Sequence, residues 1–368
     1  MNIAIYDTEH FETTYTLIRV FADESNTVAV FTTEEMAIVL RKMLGEKNSG
    51  VNWILFSSKD VANIRRIYSY CRKQRVQYLF LNTVNYHHLL FGLLALRLKP
   101  TKTIVTVHDA NSFYRPKLMF HWRSIARAIG KKLLANTADA FATLLTSTKK
   151  YIQDNFAISK PIISIPGSFY EEHKLEASDE WPVIAISGSV DVKRRNYQQV
   201  FDLLEELEDV EIEFVLLGAA KDEQGKQIIN KLETWASEKL KITTYNDKFV
   251  DEEEFNKQLR RCDFVFAPLQ KTFNEESTLP EEYGLTKSSG SFFDAVRFGK
   301  PLIVSSDITI PQELVGQCIF YKSAKELAAF LTTLTPEEKN LLIKKAVENS
   351  GKFALKRIQE QVFSAIHL

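Results

Sequence analysis

The chain has 368 residues, of which 45% are hydrophobic and 26% are charged, and its formal net charge at pH 7 is zero. These values are typical of a soluble globular protein with about two domains, each large enough to bury a core. No apolar run approaches the ~18 residues that a membrane-spanning helix needs, so a transmembrane protein is not expected.

Short apolar runs typical of buried β-strands alternate with segments of helical periodicity along the whole chain. In the N-terminal half these runs are residues 3–6, 27–31, 53–56, 78–81, 103–107, 142–146 and 162–165. In the C-terminal half they are residues 183–187, 212–217, 242–244, 264–267, 302–304 and 319–321. Because several runs are apolar without strict alternation, they predict parallel strands that are covered on both faces and joined by right-handed helical crossovers.

This alternation occurs twice and is interrupted by a polar, turn-rich stretch near residues 166–182. The predicted fold class is therefore α/β, with two doubly wound (Rossmann-like) parallel-sheet domains facing a cleft. We expect the domains at 1–170 and 171–350, and a final helix within 351–368 that packs back toward the first domain. Ligands of such sheets bind beyond the carboxyl ends of the strands, so functional residues should lie in the loops that follow strands.

Two strand ends in the N-terminal half carry polar residues suited to a binding site. Thr8, Glu9 and His10 follow the first predicted strand, where they either bind substrate hydroxyls or are simply solvated. His108 and Asp109 follow a later predicted strand directly. A lone histidine is more often structural, but its place at the carboxyl end of a strand favours a role in the site.

The segment from Arg115 to Leu134 predicts an amphipathic helix that begins after its proline. One apolar stripe recurs at three- and four-residue spacing: Leu118, Trp122, Ile125, Ile129 and Leu133. A cationic row lies beside it: Arg123, Arg127 and Lys131. Packing on the core is the default interpretation of the stripe, while the unbroken cationic row favours contact with an anionic membrane surface.

A loop rich in small polar residues precedes a predicted short helix that ends at Gly299, followed by Lys300 and Pro301. Backbone N–H groups at a helix N-terminus, hydroxyls and one lysine suit a diphosphate. The residues concerned are Thr286, Lys287, Ser288, Ser289, Gly290 and Ser291. Asp294 lies one turn into the helix, where its carboxylate could accept hydrogen bonds from a ribose diol. A capped helix with a serine-rich start is the structural alternative.

This segment resembles the donor-binding motif of GT-B glycosyltransferases, especially the large retaining family four. That motif has a Glu, seven residues and a second Glu before a short helix and a Gly-x-Pro strand entry. Aligned from Gly299, the second Glu falls on Asp294, which the resemblance makes a ribose ligand. The first Glu, which contacts the donor sugar in the family, falls on Thr286, although Glu281 and Glu282 lie nearby.

Further segments resemble the family in the same order along the C-terminal half. Residues 184–189 and 193–197 resemble the strand, glycine loop and basic residue that open the donor domain, although the family's arginine position is Ser189 here. The resemblance implies that one of Lys193, Arg194 and Arg195 stabilises the leaving diphosphate, with Arg195 as the catalytic candidate. A solvated basic turn is the structural alternative. The resemblance also implies that the other donor-binding residues are Gly188, Ser189, Lys193, Arg194, Gly218, Phe249 and Val250.

By the same resemblance, the N-terminal domain binds the acceptor, through Thr8, Glu9 and His10. Related enzymes carry a histidine at the strand end occupied here by His108, so His108 and Asp109 are the predicted catalytic residues of this domain.

Charge and cysteine usage bear on partners and location. Residues 1–170 hold 22 Lys and Arg against 12 Asp and Glu, whereas residues 171–368 hold 25 against 35. This split suggests different partners for the two halves, or only chance and solubility. The amino terminus lacks a secretory signal pattern, and the three sparse cysteines are typical of reduced thiols. We therefore expect a cytoplasmic protein with a peripheral position on the inner face of the membrane.

The sequence lacks a Gly-x-Gly-x-x-Gly loop after the first strand, a Walker loop, a His-Glu-x-x-His site, an Asp-x-Asp pair and a Gly-x-Ser-x-Gly elbow. The predicted function is metal-independent and retaining transfer of a hexose from a nucleoside-diphosphate sugar to a glycan or lipid-linked acceptor, in polysaccharide or cell-envelope synthesis. No cofactor beyond this co-substrate and no nucleic-acid partner are expected. The alternatives are a sugar-nucleotide epimerase, a polysaccharide pyruvyltransferase, or a non-catalytic partner subunit of a glycosyltransferase.

Overall fold

The computed structural model describes residues 1–23, 25–57, 61–118, 120–172, 181–207, 210–245, 250–274 and 277–366, leaving aside the side chain of Ser49. Predicted donor residue Phe249 lies outside the described residues.

The first part of the chain forms a sheet of seven parallel strands in the order β3-β2-β1-β4-β5-β6-β7. The strands are β1 (Asn2–Tyr6), β2 (Thr27–Thr32), β3 (Val51–Leu55), β4 (Tyr78–Leu81), β5 (Lys102–Val107), β6 (Ala140–Thr143) and β7 (Ile162–Ser164). The helices between them are α1 (Phe11–Phe21), α2 (Glu34–Leu44), α3 (Ala62–Lys73), α4 (His88–Arg97), α5 (Ala110–Tyr114), α6 (Trp122–Thr137) and α7 (Thr146–Asn155).

The second part forms a sheet of six parallel strands in the order β10-β9-β8-β11-β14-β15, beside a short antiparallel pair, β12 and β13. The strands are β8 (Val183–Ser187), β9 (Ile212–Leu217), β10 (Leu240–Thr243), β11 (Phe264–Ala267), β12 (Thr272–Phe273), β13 (Glu281–Glu282), β14 (Leu302–Ser305) and β15 (Cys318–Tyr321). The helices are α8 (Tyr197–Glu206), α9 (Glu223–Glu233), α10 (Glu252–Arg261), α11 (Gly290–Arg297), α12 (Ala324–Thr333), α13 (Pro336–Ser350) and α14 (Leu355–Ile366).

The central strands are covered on both faces, which explains their apolar sequences. In β1, Ile3 and Ile5 face one hydrophobic cluster and Ala4 faces another, and all three are buried. The same pattern holds in β8, where Ile184 and Ala185 belong to different clusters. The predicted α/β class with two Rossmann-like parallel-sheet domains is confirmed.

Each sheet has one point where the strand order reverses. In the first sheet it lies between β1 and β4, and in the second between β8 and β11. Ligands of doubly wound sheets bind outside the carboxyl ends of the strands at such a point. The loops after β1, β4, β8 and β11 are therefore the places to look for a site.

The last helix, α14, lies on the first domain. The Gln359 amide donates to the backbone oxygens of Arg19 and Val20 at 3.3 and 3.2 Å. The Tyr78 hydroxyl donates to the backbone oxygen of Ile366 at 3.1 Å. The two domains are thus joined by a return of the chain as well as by the stretch between them.

The amphipathic segment is placed differently from the prediction. The helix begins at Trp122 rather than after Pro116, because Pro116 pairs with Ser277 and the ring of His121 caps the new start by accepting from the Ser124 N–H at 3.2 Å. Its apolar stripe faces outward, so core packing is the wrong interpretation for most of it: Leu118, Trp122, Ile125 and Ile129 are exposed. Lys131, predicted in the cationic row, is buried and donates to the Ser112 carbonyl and hydroxyl at 2.9 and 3.1 Å.

Within the described ranges, every helix is too short or too polar to cross a membrane.

Candidate functional site

The carboxyl ends of the two sheets meet at a cleft where several predicted residues come together. The loop after β1 and the ends of β4 and β5 form its N-terminal wall, and the loop after β8 and the segment before α11 form its C-terminal wall. The walls touch where the Ala110 N–H donates to the Thr286 carbonyl at 3.0 Å and where Lys287 forms an ion pair with Asp109.

Asp7 organises the N-terminal wall from a fully buried position just after β1. Its carboxylate accepts the backbone N–H groups of Glu9 and His10 at 2.8 and 3.1 Å. The Thr14 hydroxyl at 2.9 Å and the Asn82 amide also donate to it. A carboxylate with this many donors is well stabilised despite its burial, and it holds the loop in one conformation.

This loop brings His10 onto His108, which lies at the end of β5. The two rings are stacked, with centroids 4.2 Å apart and planes 13° from parallel. Thr83, at the end of β4, lies between them: its hydroxyl is 2.8 Å from Nδ1 of His10 and 3.4 Å from Nε2 of His108. Three neighbouring strands thus supply one polar cluster.

The hydrogen bonds assign the tautomers of the pair. Nε2 of His108 lies 2.8 Å from the Asn82 carbonyl, which can only accept, so this nitrogen carries the proton. The Thr83 hydroxyl accepts the second, longer contact and donates to Nδ1 of His10. Within the described part of the chain, this leaves the Nε2–H of His10 as a donor and Nδ1 of His108 as an acceptor for a ligand.

Both histidines are neutral at physiological pH. Burial in the cleft lowers the pKa of His10 to about 4, and nearby Lys287 and Arg194 oppose its protonation further. Burial, and then the neighbouring His10, lowers the pKa of His108 to about 4. The pair can therefore donate and accept hydrogen bonds without adding positive charge.

Asp109 and Lys287 are both charged. Burial alone would raise the pKa of Asp109, but the ammonium of Lys287 and its hydrogen bond hold this pKa below the usual range. Burial alone would likewise lower the pKa of Lys287, and Asp109 raises it instead. The ion pair joins the two walls of the cleft.

Arg194 and Phe273 complete the cationic side of the cleft. The guanidinium of Arg194 lies 5.5 Å from the centre of the Phe273 ring, and the ammonium of Lys287 lies at the same distance from that centre. The two cations therefore converge on one aromatic ring. They are the basic groups best placed to meet an anionic ligand.

Arg195, predicted to be catalytic, is instead a support for the glycine loop. It is buried, and its guanidinium donates to the carbonyls of Ser187 and Ser189, the second at 2.9 Å. Gly188 needs to be glycine because its φ is +93° and a Cβ there would lie 2.5 Å from the Arg195 guanidinium. A Cβ at Gly218 would collide with the Gly188 carbonyl, so two predicted donor-binding glycines keep this loop compact.

The predicted phosphate loop is only partly available to a ligand. The N–H groups of Thr286 and Lys287 donate to the Glu282 carbonyl at 2.9 and 3.2 Å, so they are internal bonds rather than free donors. At the start of α11, the Ser288 N–H faces the His108 carbonyl in the short antiparallel contact between Asp109 and Lys287. Among the described residues, no acceptor is found for the N–H groups of Ser289 and Gly290.

Several side chains of this loop also have internal partners. The Ser291 hydroxyl donates to the Ser187 carbonyl at 3.2 Å, which fastens α11 to the glycine loop. The Thr286 hydroxyl accepts the Glu282 N–H at 2.8 Å and is buried. Of the two acids near the missing first Glu, Glu281 accepts the N–H groups of Asn111 and Ser112, and Glu282 accepts the Thr309 hydroxyl.

Two carboxyl groups with raised pKa values lie near each other across the cleft. Burial raises the pKa of Asp294, on α11, to about 6. Glu12, on the first turn of α1, is exposed as a residue, but desolvation of its carboxyl at the edge of the cleft raises its pKa to about 7. The negative charges of Asp294, Glu252 and Asp7 add to this shift. Groups that change charge near neutral pH are common in active sites.

The remaining predicted residues lie at the margins of the site. Lys193 and Glu9 are exposed, and Thr8 is partly buried beside the histidine loop. Val250 is partly buried and packs against the hydrophobic core.

Within the described ranges, no three His, Cys, Asp or Glu side chains are grouped so that they could hold a metal ion.

Three members of the cluster were not predicted: Asn82, Thr83 and Phe273. Asn82 and Thr83 directly follow the buried run of β4, which is the signal that pointed to His108 after β5. Applied to every strand, the same rule would have found them. Phe273 has no such signal, because it reaches the cleft through the short β12–β13 pair.

Comparisons with known proteins support the fold through structure alone. Neither the scan against protein-family models nor the search of curated proteins finds a match. The structure of Anabaena Alr3699/HepE in complex with UDP and glucose matches 100% of this chain and 99% of its own, with a TM-score of 0.67 and 13% identity. The pneumococcal O-GlcNAc transferase GtfA, in complex with UDP and GlcNAc, matches 100% of this chain and 98% of its own, with a TM-score of 0.65 and 10% identity.

A UDP-GlcNAc 2-epimerase from Neisseria meningitidis, bound to UDP-GlcNAc, matches 100% of both chains with a TM-score of 0.60 and 11% identity. At such low identities these likenesses establish the GT-B architecture and not the activity.

Proposed function

We propose that the protein is a glycosyltransferase that moves a hexose from a UDP-sugar to a glycan or lipid-linked acceptor, without a metal ion and with retention of configuration. One observation carries this proposal. The N–H groups of Ser289 and Gly290, for which the described residues supply no acceptor, lie at the same cleft as Lys287 and Arg194, opposite two neutral histidines.

The C-terminal wall would hold the nucleotide. The N-terminus of α11 supplies oriented N–H donors and a positive dipole end for the diphosphate. Arg194 and Lys287 would neutralise the negative charge that grows on the leaving group, which is the main work of a metal-free transferase. Asp294, one turn into the same helix, is placed to accept hydrogen bonds from the ribose hydroxyls.

The N-terminal wall would orient the sugar and the acceptor. His10 offers an N–H donor and His108 offers an acceptor nitrogen, side by side and uncharged. Such a pair fixes sugar hydroxyls or a phosphate oxygen without competing electrostatically with the cations of the other wall. Asp109, held ionised by Lys287, connects the two walls, so donor binding and closure of the cleft are coupled.

The donor class follows the structural neighbours, which bind UDP with glucose or GlcNAc. The base of the nucleotide would lie near Val250 and Phe249, as the family resemblance implies. A cytoplasmic role in polysaccharide or cell-envelope glycan synthesis fits an enzyme that uses nucleotide sugars.

A sugar-nucleotide epimerase is the second candidate, and one observation favours it. Thr286 replaces the acid that would contact the donor sugar in family four, and both nearby glutamates are engaged elsewhere. A structural neighbour of the same fold is an epimerase. Such an enzyme would use the same nucleotide site but would need no acceptor.

The deciding experiment is incubation of the purified chain with a panel of UDP-sugars, with and without a glycan and lipid extract, followed by product analysis. A transferase releases UDP only when acceptor is present, and added EDTA leaves the rate unchanged. Conversion of one UDP-sugar into another without acceptor would establish the epimerase instead. Donor binding without turnover under all conditions would favour a non-catalytic subunit.

A further inference from the structure

Two neighbouring helices of the N-terminal domain present apolar side chains to solvent. α4 and α6 approach closely at glycines: a Cβ on Gly92 would lie 2.8 Å from the Leu133 side chain. Their outer surfaces carry Leu89, Leu93 and Leu96 from α4 and Trp122, Ile125 and Ile129 from α6, all exposed. We call these six residues the docking face.

The exposure is too large and too concentrated to be ordinary surface. Trp122 is 73% exposed, and Leu96 and Ile129 are each 55% exposed. The segment before α6 adds Leu118 and Phe120, which are also exposed. Scattered apolar residues are normal on protein surfaces, but a contiguous group with an aromatic anchor marks a contact site.

The charges around the docking face are almost all positive. From Arg97 to Lys132 the sequence has nine Lys and Arg against one acid, Asp109, which is paired with Lys287. Lys131 is buried and does not contribute to the surface. Arg97, Lys117, Arg123 and Lys132 are exposed on or beside α4 and α6.

We propose that the docking face binds the surface of an anionic membrane. Tryptophan and phenylalanine are favoured at membrane–water interfaces, and lysine and arginine gain attraction from anionic lipids. A second copy of the chain is a poorer occupant, because a symmetric contact would bring these positive surfaces together. The C-terminal half, with ten more acids than bases, would face away from the membrane.

The two helices that carry the docking face are connected directly to the N-terminal wall of the cleft. α4 begins six residues after Asn82, and Lys131 of α6 binds Ser112 in the helix that follows Asp109. Membrane binding would therefore place the cleft beside a lipid-linked acceptor. This last step rests on the proposed function, whereas membrane binding itself does not.

The test is co-sedimentation of the full chain with vesicles of phosphatidylcholine alone and of phosphatidylcholine with phosphatidylglycerol, at low and high salt. We expect binding only to the anionic vesicles and weakening by salt. The variant W122S/I125S/I129S and the variant R123E/K132E should each bind at least about tenfold more weakly. Matched controls that change exposed residues elsewhere, I38S/F320S/L341S and K344E/K345E, should bind as the wild type does.

Thermal unfolding of each variant shows whether it is folded, and if the triple variant is not, the charge-reversal pair decides. Equal binding to neutral and anionic vesicles, no binding, or equal losses in the controls would overturn the proposal. So would a dimer in sedimentation velocity that only the triple variant dissociates. UDP binding measured on the same variants is independent of these outcomes, so a failure here is separate from a failure of the proposed transferase.

Discussion

The two walls of the cleft are built in different ways. On the N-terminal wall, Asp7, Thr83 and the two histidines are linked by side-chain hydrogen bonds, and the histidines are uncharged. On the C-terminal wall, the N–H groups of Ser289 and Gly290 have no acceptor among the described residues, and Arg194 and Lys287 supply positive charge. In the proposed function, the first wall offers a preorganised neutral pair to the sugar, whereas the second offers donors and positive charge to an anion.

Because of this difference, we expect one wall to act mainly on the reaction rate and the other mainly on nucleotide affinity. A preorganised neutral pair costs little reorganisation when a sugar binds, so it should affect the reaction rate more than the affinity. The N–H groups at the start of α11 and the two nearby cations should contribute mainly to the affinity for the nucleotide. Substitutions on the two walls should therefore have distinguishable effects.

The largest effect is expected at His108. His108→Ala should lower kcat by roughly 10²- to 10³-fold while the Kd for UDP changes little, because in the proposed function the histidine contacts the reacting sugar rather than the nucleotide. Initial rates and calorimetric titration measure the two quantities. His121→Ala, which removes only the cap of α6, is the control and should keep its turnover. A His108→Ala enzyme with normal kcat would show that the histidine pair is structural.

The second-largest effect is expected from a substitution on the C-terminal wall. Lys287→Met should raise the Kd for UDP by about 10- to 100-fold, since a hydrogen bond to a charged group contributes about 1.5–3 kcal/mol. Lys226→Met, at an exposed position of α9 in the same domain, should leave the Kd unchanged.

The partner of Lys287 provides an internal check. If Asp109 and the diphosphate compete for Lys287, then Asp109→Asn should preserve or improve UDP affinity. A loss of affinity in Asp109→Asn equal to that in Lys287→Met would contradict this competition.

How far the sequence predicts these walls depends on whether a feature is local. The strands and the turn at Gly299 and Pro301 follow from burial and backbone chemistry, and the structure agrees with them. The stacking of His10 on His108 depends on the strand order β1-β4-β5, which no local pattern encodes. The stripe on α6 could be predicted from its period, but its direction could not, because periodicity does not say which side of a helix meets the core.

The third prediction concerns Asp294 on α11, which is the proposed ligand of the ribose. Asp294→Asn should weaken UDP binding by about tenfold and should remove part of its pH dependence. The pKa of Asp294 is raised to about 6, so wild-type affinity should fall as the pH decreases from 7 to 5 and the carboxylate is protonated. Titrations at pH 5, 6 and 7 compare the two proteins. Identical pH profiles would mean that Asp294 does not bind the ribose in its ionised form.

The smallest effect expected is on stability, at Glu12, the carboxyl that lies between the two walls. Desolvation of the carboxyl raises its pKa to about 7 from an ordinary value near 4.5, although the residue as a whole is exposed. The folded state therefore binds a proton more tightly than the unfolded state does. The protonated carboxyl stabilises the fold below about pH 4.5, and this stabilisation is lost as the pH rises through 7. Glu12→Gln keeps the neutral form at every pH, so it should raise the melting temperature by a few degrees at pH 8 and leave it unchanged at pH 4.5.

His10 and His108 affect stability in the opposite direction, because their lowered pKa values remove stability as the pH falls from 6.5 toward 4. Both proteins contain the two histidines, so the difference between the two melting curves cancels their contribution. Equal melting temperatures for Glu12→Gln and the wild type at pH 8 would show that water hydrates the carboxylate in the cleft, and that folding does not raise its pKa.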